Sequence, residues 1–139
     1  MAEPTQFHAS FAKLDDERRR ASGWAYMVKS ADGAQVVDHS GDFVEDVQAL
    51  EDAVAEYVLL SREGDSMHTD PVVAKLVGSL VVTPEKLTAM GAENASLPTG
   101  WWVEFQIHDA ETWEKVKKGE LGMFSIQGVG EREEIHAAA

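Results

Sequence analysis

The sequence contains no cysteine, and none of its apolar runs approaches the ~18 residues that a membrane-spanning helix needs. Without cysteine the protein can form no disulfide framework and perform no thiol chemistry, which fits a reducing compartment. The N-terminal residues also show no signal-peptide pattern. We therefore expect a domain whose stability comes from its own core and that does not enter a membrane.

Basic residues are scarce. The chain has 12 Lys and Arg against 25 Asp and Glu, which gives a formal net charge of −13. Nucleic acid requires a basic surface, so it is not an expected partner. The acidity mainly indicates a solvated surface. The basic triplet Arg18-Arg19-Arg20 follows three acidic residues, and we interpret residues 15–20 as a charged hairpin tip rather than a phosphate site.

The hydrophobic pattern predicts a strand-rich domain. At 139 residues the chain has the length of a single domain, with residues 1–6 and 133–139 expected to be disordered tails. Alternating residues 7–13 and 21–29 predict two half-buried strands, the second with Trp24, Tyr26 and Val28 on one face. Asp32-Gly33 predicts a hairpin turn. Further strands are predicted at residues 35–38, at 74–82 (buried), at 100–108 and at 121–127, a core strand that carries Ser125.

Three segments have helical signals. The clearest is residues 46–60, where apolar side chains recur at helical spacing: Val47, Leu50, Val54, Tyr57 and Val58. Thr83-Pro84 predicts the start of a short second helix. Asp109 is a typical N-cap for a third helix over residues 110–118, which Gly119 ends. These elements predict an α+β fold, mostly β: a small, largely antiparallel sheet or barrel flanked by two or three helices.

Two polar residues in contrasting settings suggest chemistry. His68 lies in a polar loop after the first helix, and Ser125 lies in an apolar strand bracketed by glycines. A serine hydroxyl is a weak nucleophile at neutral pH, and an adjacent histidine with a pKa near ~6.5 can act as its general base. On local sequence alone, however, the histidine is interpreted as a surface residue and the serine as a structural one.

A series of short motifs in a definite order changes that interpretation. The series has seven motifs: Gly-Trp-Ala-Tyr (23–26), Val-Asp-His-Ser-Gly-Asp (37–42), Met-His (67–68), Val-Val-Thr-Pro-Glu-Lys (81–86), Gly-Trp-Trp-Val (100–103), Trp-Glu-Lys-Val-Lys-Lys-Gly-Glu (113–120) and Phe-Ser-Ile (124–126). Over residues 7–132 the chain resembles the XkdF-type phage serine proteases. These are a branch of the prohead proteases related in fold to herpesvirus assemblin, so the resemblance implies a small barrel wrapped by helices.

The resemblance also implies roles for individual residues. Phe-Ser-Ile carries the nucleophile in the family, which implies Ser125, and Met-His carries the general base, which implies His68. An acidic residue is expected in a Val-Glu-Ser pattern on the strand after the histidine, but here Gly78 stands between Val77 and Ser79. The third catalytic member is therefore left open among Asp70, Asp38, Asp42, His39, His108 and water. The glycine-rich turn after Ser125 is a candidate oxyanion loop: Gly128, Gly130 and Arg132.

The implied function is that of a prohead maturation serine endopeptidase. Its implied substrates are the scaffolding protein and the major capsid protein, inside the phage procapsid in the host cytoplasm. A homodimer is implied as well, and neither a cofactor nor a metal is. One alternative is a catalytically weakened or inactive relative that acts as a capsid-assembly or scaffold-binding module. Another is a metal hydrolase built on His39, Asp42 and His68, although their spacing matches no zinc motif.

Overall fold

The computed structural model describes residues 5–6, 10–37, 46–61, 63–65, 73–123 and 125–126, with the backbone alone described at 5–6, 63–65 and 125–126. The structure consists mostly of strands and has the α+β class that the sequence predicts. The strands are β1 Thr5–Gln6, β2 Ser10–Asp15, β3 Arg20–Lys29, β4 Val36–Val37, β5 Glu63–Asp65, β6 Ala74–Val82, β7 Thr99–Ile107 and β8 Ser125–Ile126, and the helices are α1 Val47–Leu60, α2 Pro84–Ala89 and α3 Ala110–Lys117.

One antiparallel sheet forms the body of the fold, in the order β2-β3-β7-β6-β5-β8. Its four long strands β2, β3, β7 and β6 make up most of the surface, and the short strands β5 and β8 extend it at one side. A separate parallel pair joins β1 to β4. Thr5 and Gln6, expected in a disordered lead, form β1; residues 1–4 and 133–139 lie outside the described residues.

The sheet is not closed into a barrel, so that part of the prediction is wrong. Among the described residues, no ladder joins the outer strands β2 and β8. A backbone hydrogen bond from the Phe11 N–H to the Gly122 carbonyl, at 2.7 Å, connects β2 to the segment that leads into β8. Closure would require a staggered ladder between these outer strands, and this bond, which lies outside any ladder, does not supply it.

The core lies on one face of the sheet, under α1 and α3. Alternate residues of β7 point into it and are almost inaccessible to solvent: Trp101, Val103, Phe105 and Ile107. From α1, Leu50, Val54 and Tyr57 are buried against them, which confirms the predicted apolar stripe. Burial of each such side chain contributes about 1.5–3 kcal/mol relative to leaving it exposed.

The other face of the sheet is aromatic and polar. The Trp24 and Trp102 rings meet edge to face at 5.3 Å between centroids. A β-bulge between Trp24 and Tyr26 shifts the alternation of β3, so that Tyr26 packs on the core while Trp24 lies against Trp102. The prediction that Trp24, Tyr26 and Val28 share one face is therefore wrong, because the bulge adds a residue between them.

The helix boundaries follow local capping chemistry, as predicted at Thr83 and Asp109. The N-cap side chains of Asp46, Thr83 and Asp109 accept hydrogen bonds from backbone N–H groups in the first turns of α1, α2 and α3. Gly119 follows α3 with a φ of 78°, a conformation that glycine adopts without steric cost. None of the described helices has the length and apolar character needed to cross a membrane.

Two strand predictions need correction. The strand at residues 74–82 has its predicted bounds but is not continuously buried, because Val77 and Leu80 are exposed. Of the strand predicted at 121–127, Ser125–Ile126 forms β8 and residues 121–123 do not pair as a strand, while residues 124 and 127 lie outside the described residues. Leu121 and Met123 pack against the core without strand pairing, since Gly122 uses its carbonyl to hold Phe11.

Candidate active site

Ser125 lies on β8, whose backbone is held by β5. The register pairs Ser125 with Asp65 and Ile126 with Gly64. In turn β5 pairs with β6, where Glu63 faces Lys75 and Gly64 faces Ala74. The candidate nucleophile is therefore at the end of an antiparallel ladder that continues into the long strands of the sheet.

His68 and most of the other predicted site residues lie outside the described residues. They are Asp70, Asp38, Asp42, His39, Gly128, Gly130 and Arg132. The structure thus describes the backbone at Ser125, and the role of Ser125 stays a prediction. Within the described part of the chain, no group of three or more His, Asp and Glu side chains is arranged to hold a metal ion.

His108 is the one candidate third member whose side chain is described. It is exposed just after β7, and its backbone N–H donates to the Val73 carbonyl at 2.9 Å, which continues the β6–β7 ladder. The sheet order places β7 three strands from β8. At about 4.8 Å between neighbouring strands, this corresponds to roughly 14 Å from Ser125 across the sheet.

Gly78 faces a carboxylate on the neighbouring strand. Gly78 and Glu104 are register partners on β6 and β7, and a Cβ added at Gly78 would lie 3.1 Å from the Glu104 Cβ. The Glu104 carboxylate accepts a hydrogen bond from the Ser22 hydroxyl at 2.9 Å, and Ser22 is buried. The acidic residue expected at position 78 is thus absent, while the Glu104 carboxylate on β7 occupies the adjacent space.

The sequence did not reveal two acidic residues that the strand pairing places opposite predicted positions of interest. They are Glu104, opposite Gly78, and Asp65, opposite Ser125. Alternation along β7 would have separated Glu104 from its apolar neighbours Val103 and Phe105. Its position opposite Gly78 depends on strand pairing, as does that of Asp65 opposite Ser125. Neither pairing has a local signal in the sequence.

Shifted carboxylate pKa values in the described residues are found at turns and caps. The Trp113 indole N–H donates to the Asp16 Oδ1 at 2.6 Å and lowers the pKa of Asp16 below its ordinary value, partly opposed by desolvation. Hydrogen bonds from the Thr112 hydroxyl and N–H lower the pKa of Asp109. Asp16 lies in the β2–β3 turn and Asp109 at the start of α3, so neither shift involves the described backbone at Ser125.

The comparisons with known proteins give one match. A protein-family model described as "Putative phage serine protease XkdF" matches residues 9–134 of the 139, a range that contains both His68 and Ser125. No curated protein and no solved structure matches the chain significantly.

Proposed function

Because the chain belongs to the XkdF family of phage serine proteases, we propose that it is the prohead maturation endopeptidase of a phage. Ser125 is its nucleophile and His68 its general base. The observation that carries this proposal is the family match across residues 9–134, which includes both side chains in the motifs expected of them.

The proposed reaction is acyl transfer to the serine followed by hydrolysis. His68 removes the proton of the Ser125 hydroxyl as its oxygen attacks the scissile carbonyl carbon. The tetrahedral oxyanion collapses, the C–N bond breaks, and the imidazolium gives its proton to the leaving amine. Water, deprotonated by the same histidine, then releases the acyl group. Backbone N–H groups at Gly128 and Gly130 are the proposed oxyanion donors, with Arg132 holding their loop.

The strand arrangement supports the pairing of these two residues. Ser125 is opposite Asp65, and His68 follows Asp65 by three positions along the chain. Three residues span at most about 11 Å even when fully extended. The separation of the two residues along the chain and across the strand pair is therefore compatible with proton transfer, which needs roughly 3 Å between the imidazole and the serine hydroxyl.

The proposed substrates are the scaffolding protein and the scaffold-like segment of the major capsid protein, cleaved inside the procapsid in the host cytoplasm. The net charge of −13 favours neutral or basic segments as substrates over acidic ones. Action as a homodimer belongs to the same proposal and rests on the family resemblance.

A second candidate function is supported by the surroundings of Gly78. The position has no side chain, and its neighbour Glu104 is engaged by Ser22. A relative that has lost the family carboxylate can retain the fold as a non-catalytic assembly module that binds the scaffold. The two candidates differ in whether Ser125 is activated.

Labelling with a fluorophosphonate, which reacts with activated serines, separates the two candidates. The purified chain is compared with Ser125→Ala, His68→Ala and a control, Ser10→Ala, which removes an exposed strand serine. For a protease, the parent and the control are labelled while the other two variants are not. A folded parent that remains unlabelled between pH 6 and pH 9 at several concentrations, roughly spanning the titration of histidine, would favour the assembly module.

A further inference from the structure

The outer face of α1, which points away from the sheet, ends in two exposed leucines. While Leu50, Val54 and Tyr57 of this helix are buried in the core, Leu59 and Leu60 in its last turn are 82% and 76% exposed. These are the highest values among the large apolar side chains of the described residues. We propose that this face of α1 binds a basic, amphipathic helix of a partner protein.

Helical geometry places two carboxylates on the same face as the leucines. Asp52 and Glu56 are exposed and precede Leu60 by eight and four residues, so the three side chains follow one line along the helix. Leu59 lies beside this line, seven residues after Asp52. Eight residues of α-helix correspond to about 12 Å. The outer face therefore presents an acidic half followed by an apolar half.

The acidic half has no counter-charge in the described part of the chain. The helix α1 contains no basic residue. Its third acidic residue, Glu51, forms an ion pair with Lys86 of α2 at 3.1 Å, and the same ammonium group donates to the Val81 carbonyl at 2.9 Å. Among the described residues, no ion pair involves Asp52 or Glu56. The electrostatic complement of this face is therefore a group of cations on another molecule.

Charge and shape together define the partner. In a symmetric pair of this chain, α1 would meet α1, and the carboxylates of Asp52 and Glu56 would face carboxylates instead of cations. A strand is a poor fit, because α1 satisfies its backbone hydrogen bonds internally and offers no edge for strand pairing. Ala49 and Ala53 are small and exposed on the side of Leu60, which allows a second helix to approach to the usual ~8–10 Å. The partner helix combines Lys or Arg with apolar side chains on one face.

The test uses a synthetic partner and measures binding alone. The probe is a fluorescein-labelled peptide of about 18 residues, with Leu and Lys at the spacing of an amphipathic helix. A second peptide carries Glu in place of every Lys. We expect fluorescence anisotropy to show binding of the Lys peptide to the full chain, and binding of the Glu peptide that is at least about 10-fold weaker. The measurement does not involve Ser125, so its outcome is separate from that of the proposed protease activity.

A first pair of substitutions tests the apolar half. Leu59→Gln combined with Leu60→Gln removes both apolar side chains and keeps a similar helix propensity. The control is Leu97→Gln, which changes an exposed leucine outside α1. We expect the α1 variant to bind the Lys peptide about 10- to 100-fold more weakly, because burial of one leucine on binding corresponds to roughly tenfold or more. Leu97→Gln should match the parent.

A second pair tests the acidic half. Asp52→Asn combined with Glu56→Gln is compared with Glu93→Gln combined with Glu120→Gln, which removes two exposed charges outside α1. Both variants have the same net charge, so the general attraction of a cationic peptide to an acidic protein cancels. We expect the α1 variant to bind about 2- to 10-fold more weakly than this control at low ionic strength. The difference should shrink at about 1 M salt, where the Debye length is roughly 3 Å.

The proposal is overturned if the parent does not bind the Lys peptide, or if the folded α1 leucine variant binds it as tightly as Leu97→Gln. Equal losses in the two charge variants overturn it as well, since the peptide would then respond only to net charge. Sedimentation of the chain alone gives a further check: a dimer that the leucine variant dissociates would assign the face to a second copy instead. Should the double leucine variant fail to fold, Leu59→Gln alone replaces it in the same comparisons.

Discussion

Gly78 and Glu104 face each other across β6 and β7, and a Cβ at Gly78 would come within 3.1 Å of the Glu104 Cβ. That separation is tighter than ordinary van der Waals contact, so a side chain at position 78 and the present position of Glu104 compete for one space. The Ser22 hydroxyl donates to the Glu104 carboxylate at 2.9 Å, which gives the carboxylate a defined partner on β3. The absence of a side chain on β6 and the presence of a carboxylate on β7 are thus linked by packing.

The first prediction concerns a second carboxylate at position 78. Gly78→Glu and Gly78→Gln introduce side chains of the same size, and both must displace Glu104 slightly. Only the glutamate adds a like charge directly across the strand pair, which costs about 0.2–1 kcal/mol. We therefore expect Gly78→Glu to be less stable than Gly78→Gln by this amount in urea unfolding at low ionic strength. The difference should shrink at about 1 M salt, where the Debye length is roughly 3 Å.

The second prediction concerns the contact between α1 and the sheet. The Tyr57 and Trp101 rings meet edge to face at 5.6 Å between centroids, and both side chains are buried. Such pairs contribute about 0.5–1.5 kcal/mol beyond the area that they bury. A double-mutant cycle with Tyr57→Leu and Trp101→Leu, measured by urea unfolding, should give a coupling free energy in this range.

The control cycle pairs Tyr57→Leu with Trp24→Leu. Trp24 belongs to the opposite face of the sheet, where it contacts Trp102. The two changes should therefore be additive to within about 0.3–0.5 kcal/mol. Coupling in the control as large as in the Tyr57–Trp101 cycle would mean that the ring contact is not its source.

The third prediction is a pH dependence at the β2–β3 hairpin. The hydrogen bond from the Trp113 indole lowers the pKa of Asp16 in the folded protein, with a smaller contribution from Lys117. A lowered folded-state pKa stabilises the fold above the unfolded pKa of about 3.9, and this stabilisation is lost as the pH falls through the folded value. Asp16→Asn should thus lower the melting temperature at pH 7, with a nearly constant difference down to about pH 5 that disappears in stronger acid.

The same measurement in a Trp113→Phe background provides the control for Asp16. Phenylalanine keeps an apolar ring in the core but removes the N–H donor, the largest cause of the lowered pKa. The pH-dependent part of the Asp16→Asn difference should then become smaller. Parallel melting curves for the parent and Asp16→Asn from pH 7 to about pH 2 would show that the hydrogen bond does not favour the charged carboxylate.

Local chemistry accounts for the parts of the fold that the sequence predicts. The N-caps Asp46, Thr83 and Asp109 begin the three helices because a side-chain oxygen satisfies backbone N–H groups within two or three residues. The bulge that separates Trp24 from Tyr26 has no such signal, because it depends on the pairing of β3 with β7. Barrel closure failed as a prediction for a related reason: it requires contacts between β2 and β8, the strands farthest apart in the sheet order.

At the candidate site, too, local structure could be predicted from the sequence and strand pairing could not. A strand at Ser125 could be predicted from its apolar neighbours and confirmed in the described backbone. The partner of that strand could not be predicted, because the described residues of β5, Glu63–Asp65, show no hydrophobic alternation. The position of Asp65 opposite Ser125 is consequently evident only from the register, and Glu104 became relevant to Gly78 only through the pairing of β6 with β7.

The last prediction tests whether the connection between β2 and the segment before β8 matters for the site. The Phe11 N–H donates to the Gly122 carbonyl at 2.7 Å, and Gly122 precedes Ser125 by three residues. Phe11→Ala and Phe11→Pro both remove the ring that packs on the core, but only proline removes the N–H. Proline is tolerated on an edge strand when the missing N–H is not part of the ladder. The Phe11 N–H donates to the Gly122 carbonyl and not to β3, so proline at this position removes no hydrogen bond of the β2–β3 ladder.

We expect Phe11→Pro to be labelled at Ser125 more slowly than Phe11→Ala by about 2- to 10-fold, since one hydrogen bond contributes about 0.5–1.5 kcal/mol net. The comparison of two folded variants that both lack the ring cancels the packing loss. A slower rate in Phe11→Pro alone would mean that β8 is held partly from β2, across the open side of the sheet. Equal rates would mean that the pairing of β8 with β5 is sufficient to position Ser125, and that the bond to Gly122 serves only the stability of the fold.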